Sequence, residues 1–104
     1  MSSVIGGINP GTRDLPATFE AQVANVFAHI RHDIEAAGGN VDDIIKITFW
    51  VQDPAKQRVL LNTEWLKLFP DPESRPARHT LSLPAGSRAL VQADFVAVLS
   101  STGP

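Results

Sequence analysis

The chain has no cysteine, no tyrosine and a single methionine. Without thiols it can form neither disulfides nor thiolate metal sites. Its apolar runs are only a few residues long, far short of the roughly 20 that span a bilayer. It also has no cationic excess. Nine Lys and Arg stand against 11 Asp and Glu, for a net charge of -2, so there is no electrostatic case for nucleic acid. The start, MSSVIGG, carries neither a basic n-region nor an apolar core, and a cytoplasmic protein is expected. What is present is globular: 104 residues, 43% hydrophobic and 19% charged, enough for one domain over residues 1–104 and too little for two separate cores.

Turn-forming glycines and prolines crowd VIGGINPGTRDLP, leaving strand only before Gly6. Phe19, Val23, Val26, Phe27, Ile30 and Ile34 then recur at helical spacing, which predicts an amphipathic helix over about 18–37 that Gly38 and Gly39 stop. IIKITFWVQ is dense in β-branched and aromatic residues and predicts a strand buried on both faces. Asp53-Pro54 opens a second helix, to about Phe69, with Leu61, Trp65, Leu68 and Phe69 as its apolar set. Strands over about 77–83 and 89–99 flank the turn Pro84-Ala85-Gly86-Ser87, a pattern expected to form an antiparallel hairpin. The order predicts an α+β layer with both helices on one sheet face. Such a layer would leave Phe49, Trp50 or Phe95 in water on the other, so an oligomer with packed sheets and clefts between subunits is expected.

The candidate chemistry is sparse. His29 and His32 have a chelating spacing on the first helix but no third ligand in sequence, so they read as a solvated face and no metal is expected. There is no lysine-bearing phosphate loop and no nucleophile motif. What remains is Arg78 with Thr80, Asp94 and Asn62. An arginine fork beside Pro76 and Ala77 suits the carboxylate of a small organic acid. Strand alternation puts Arg78, Thr80 and Ser82 on one face and His79, Leu81 and Leu83 on the other. A structural ion pair between Arg78 and Asp94 at a subunit boundary is the competing reading. Arg75 is expected at the surface or in an intersubunit ion pair. Trp50 is expected in intersubunit core, with stacking on an extended conjugated acid as the alternative.

The runs EAAGGNVDDIIKIT and RPARHT, with NTEWLKLFPDP and the terminal LVQADFVAVL, resemble the RidA (YjgF/YER057c/UK114) family of enamine/imine deaminases over about residues 5–99. The resemblance implies a chorismate-mutase-like α+β fold, with two helices on one face of a sheet. It also implies a homotrimer with a central barrel and clefts at its interfaces. The implied activity is hydrolysis of 2-imino acids to 2-keto acids and ammonia without any cofactor. Arg78 matches the arginine that grips the substrate carboxylate, and Asp94 stands for the glutamate that positions water. Gly6, Asn62 and Thr80 match pocket positions, with Ile5 where a serine is usual. The family usually has about twenty residues before this start, including a strand and a pocket tyrosine. Aspartate is one methylene shorter than glutamate, and about 1 Å of lost reach can cost roughly a hundredfold in rate. The alternative is a noncatalytic 2-keto acid sensor on the same fold, and a third reading is the ribonuclease activity attached to relatives. Neither nucleic acid nor membrane is an expected partner.

Overall fold

The computed structural model describes residues 5–9, 11, 14–71, 75–83 and 89–98. In chain order the elements are β1 (Ile5–Gly6), α1 (Phe19–Ala36), a 3-10 turn (Val41–Asp43), β2 (Ile44–Val51), α2 (Pro54–Leu68), β3 (Ala77–Ser82) and β4 (Val91–Ala97). The strands form one mixed sheet in the order β1-β4-β2-β3. The fold is therefore α+β, two helices against a four-stranded sheet.

Local chemistry sets the ends of the elements. Thr18 caps α1, its Oγ1 accepting from the Ala21 N–H at 3.2 Å, which satisfies one of the helix's orphan donors. Gly38, at φ +89°, takes the left-handed conformation that closes the other end. Asn40 and Asp43 form a reciprocal capping box around the 3-10 turn. At the start of α2 the Gln57 Oε1 accepts from the Asp53 N–H at 3.0 Å.

Val23, Val26, Phe27, Ile30 and Ile34 of α1 and Leu61, Trp65 and Leu68 of α2 cover Ile47, Phe49 and Val51 of β2 and Val91, Ala93 and Phe95 of β4. Burying this set supplies the main driving force for folding. Phe49 and Phe95 were expected among the residues stranded in water. Instead they lie beneath the helices, at 0% and 7% exposure. Trp50 alone of that trio points to the open face, where it is half-buried. The reason is alternation along β2, which puts Phe49 on the face of Ile47 and Val51, with Phe95 opposite Ile47; a one-residue register shift lies between Ile44 and Lys46. This bulge lets Ile44, Ile47, Phe49 and Val51 all face the helices and leaves Ile45 52% exposed.

The expected β3–β4 hairpin does not form. β3 pairs parallel with β2, Ile47 opposite Arg78 and Phe49 opposite Thr80, while β4 pairs antiparallel with β2 on its other side. Helix α2 is the crossover that a parallel pair requires, so β2 takes both of the later strands as neighbours and separates them. Residues 84–87, the expected turn, lie outside the described residues.

Candidate anion-binding cleft

Register decides where the candidate residues go. Arg78 and Thr80 sit opposite Ile47 and Phe49, hence on the helix side of the sheet, as strand alternation predicts. There the Arg78 guanidinium lies over the Trp65 ring, 5.0 Å from its centroid. Trp65 is held by Phe69 at 4.8 Å and by Phe49 at 6.2 Å between centroids. A cation over an indole face in a desolvated setting is attracted by the ring quadrupole.

Arg78 lines a concavity of about 410 Å³ with Asn62, Trp65, Leu66, Arg75 and Pro76. Its Nη1 is buried and, among the described residues, has no hydrogen-bond partner. Its pKa is lowered from the ordinary arginine value, first by burial and then by the nearby charge of Arg58, yet an arginine remains charged near neutrality. A buried guanidinium donor without a partner is costly, and an incoming carboxylate would satisfy it. Thr80 lines an adjoining smaller pocket with Val51, Gln57, Arg58 and Leu61.

Arg75 is exposed, as expected, but it also lines the cleft. Its Nε donates to the Phe69 carbonyl at 2.9 Å, a favourable placement of a cation at a helix C-terminus. Arg58, Asn62 and Trp65 are spaced i, i+4 and i+7 along α2, one face of a helix. That spacing was the available signal for Trp65 and Arg58, which hydrophobic periodicity alone assigns to the apolar stripe and to the surface.

Asp94 and Gly6 lie elsewhere. Asp94 pairs with Thr48 and Gly6 with Gln92, positions on the open face. Within one chain Asp94 and Arg78 are therefore on opposite faces of the sheet, with β2 between their strands. An ion pair between them within one chain is ruled out by that geometry; the expected pair across a subunit boundary is not. Lys67 and Glu64 form an ion pair at 3.3 Å on α2.

His29 contacts the Ile8 carbonyl at 2.8 Å, and Asn25 Nδ2 donates to the Gly7 carbonyl at 3.1 Å. These bonds tie the segment after β1 to α1.

The fold and the cleft define an α+β protein with a half-covered sheet and a cationic, aromatic-floored crevice between a helix and an edge strand. The chain belongs to the endoribonuclease L-PSP family, whose model matches residues 4–98, and its relatives carry the RidA and YjgF names. A RutC family protein of Aquifex aeolicus is 34% identical over 77 residues, 74% of this chain and 61% of that protein. The chain thus spans less than two thirds of that curated relative. RidA from the Antarctic bacterium Psychrobacter superposes with a TM-score of 0.80 at 29% identity, covering 93% of this chain and 77% of that one. The YjgF gene product of Escherichia coli gives 0.80 at 26% identity, with the same coverage of 93% and 77%. Among the described residues no helix is long and apolar enough to cross a membrane.

Proposed function

We propose that the protein hydrolyses reactive enamine/imine intermediates, 2-imino acids, to 2-keto acids and ammonia. The observation that carries this reading is the buried, unpartnered Nη1 of Arg78 at the edge of the cleft. Family membership supports the same chemistry. Arg78 takes the substrate carboxylate, with Asn62 lining the cleft beside it and Thr80 the next pocket along the strand.

Water adds to the C=N carbon, and the imine nitrogen gains a proton. The resulting carbinolamine collapses to C=O as ammonia leaves with a second proton. Holding the acid and one water is most of the work, since the protonated imine carbon is already electrophilic. Asp94 is the water-positioning group. Because it sits on the open face, Arg78 and Asp94 can serve one substrate only if they come from neighbouring subunits. The reading therefore includes a homotrimer whose open sheet faces meet around a central barrel, with Gly6 beside Asp94's strand at the shared cleft.

RNA cleavage, which the family name suggests, fits the charge distribution less well. Tracking a nucleic-acid backbone takes a run of cationic contacts, whereas this cleft is lined by two arginines, Arg75 and Arg78, in a chain of net charge -2. The noncatalytic sensor is the other reading, since the half-buried guanidinium would grip a 2-keto acid equally well.

The test is ammonia release from an imino acid generated in situ by an amino-acid oxidase. Wild type above background with Arg78→Ala at background supports the deaminase. Tight 2-keto acid binding without turnover would establish the sensor instead.

A further inference from the structure

We propose that the cleft is built for a short 2-imino or 2-oxo dicarboxylate, with Arg78 taking the carboxylate beside the reacting carbon and Arg75 taking the distal one. This rests on the reading of Arg78 as carboxylate anchor and names the substrate class of that site.

Both arginines line the same concavity, whose remaining lining is Trp65, Leu66 and Pro76 with Asn62. Two guanidiniums in one mostly apolar concavity suit a ligand with an acid at each end and methylenes between. Leu66 is 50% exposed, which leaves apolar surface for that spacer to cover. Arg75 is also fixed in place. Its Nε donates to the Phe69 carbonyl at 2.9 Å, a bond that orients the head group through that one nitrogen. A preorganised fork loses less freedom when an anion binds.

The charge balance favours a dianion. Arg58 is close enough to Arg78 to lower its pKa, and among the described residues none of Arg58, Arg75 and Arg78 is in an ion pair. One carboxylate would leave most of this local positive charge uncompensated. Two would compensate most of it, and a neutral side chain in the distal position would leave the Arg75 fork unused.

The experiment is calorimetric titration of the full chain with the stable products 2-oxoglutarate and 2-oxobutyrate. Wild type is expected to bind 2-oxoglutarate about tenfold more tightly or better. Arg75→Gln should bring that ratio to about two or less, while Arg75→Lys, which keeps the charge, should retain a clear preference. Glutarate against butyrate repeats the comparison on wild type without any substitution. Equal affinities for the two keto acids would overturn this inference and leave Arg78 as anchor, whereas binding of neither would overturn both readings. If Arg75→Lys lost the preference as completely as Arg75→Gln, the bond to Phe69 rather than the charge would be responsible, and the distal-carboxylate role would be wrong.

Discussion

Arg78 and Trp65 form a stacked pair, 5.0 Å from guanidinium carbon to ring centroid, in which a strand supplies the cation and the crossover helix supplies the face. The pair joins packing to function, because the ring that completes the core under α2 is also the floor on which the anion-seeking group rests.

Replacing Arg78 by methionine should therefore separate stability from binding. The substitution removes a buried unpaired donor, a liability of about 1–3 kcal/mol. It also removes a cation–π contact of about 0.5–2 kcal/mol, and the two largely offset. Urea unfolding should shift by less than about 1 kcal/mol, while calorimetry should record no 2-keto acid binding.

The pH response follows from the same group. Its folded pKa lies below the unfolded value, so the charged form costs stability. That cost is present below the folded pKa and is relieved as pH rises through it. Since this occurs in strong alkali, carboxylate affinity should stay flat between about pH 6 and 9. A loss of affinity across that window, measured by titration, would point to a different anchor.

Trp65→Ala should be far more damaging. The ring is 7% exposed and contacts Phe49 and Phe69, and deleting a buried Trp costs about 3–5 kcal/mol. A large fall in the urea midpoint, with anion affinity lost as well, is the expected pair of results.

Gln22 is a buried polar hub, 1% exposed. Its Nε2 donates to the Pro16 carbonyl at 2.7 Å, and its Oε1 accepts from the Leu90 N–H at 2.8 Å. Gln22→Leu leaves both backbone groups without that partner, at about 1–3 kcal/mol each. Gly7→Ala should destabilise through the same neighbour, because an added Cβ would lie 2.5 Å from the Gln22 carbonyl oxygen. Thermal melts of the two variants test both.

The trimer in the proposed function makes its own prediction. Trp50 is half-buried on the open face, and Trp50→Glu should abolish ammonia release while shifting the sedimentation coefficient to that of a monomer. Asp94→Asn should leave keto acid affinity intact and lower the turnover number alone. A trimer that survives Trp50→Glu would mean the open faces do not meet.

The two helices were legible because periodicity is local. Residues at i, i+3 and i+4 share a face whatever the rest of the chain does, so α1 ends where Gly38 breaks the pattern. Alternation likewise assigned Arg78 and Thr80 to one face of β3 before any partner strand was known. The partner itself was not legible. A turn-rich tetrapeptide between two strands reads as a hairpin, but the link through α2 puts β3 parallel to β2, and β4 takes the opposite edge. The bulge at Ile45 was equally hidden, since one extra residue leaves no composition signal yet puts Ile44 under the helices and Ile45 in the open.

By itself the sequence determined which residue types were available: no thiol, few histidines and an arginine on the polar face of a strand. It also determined the helices, through their spacing. Tertiary structure alone decided that Arg78 stacks on Trp65 and shares a cleft with Arg75, and that it lies on the opposite side of the sheet from Asp94. The physical reason is that strand pairing is non-local. Which edge a strand joins depends on the summed burial of every element packed on the sheet, and no window of sequence contains that sum.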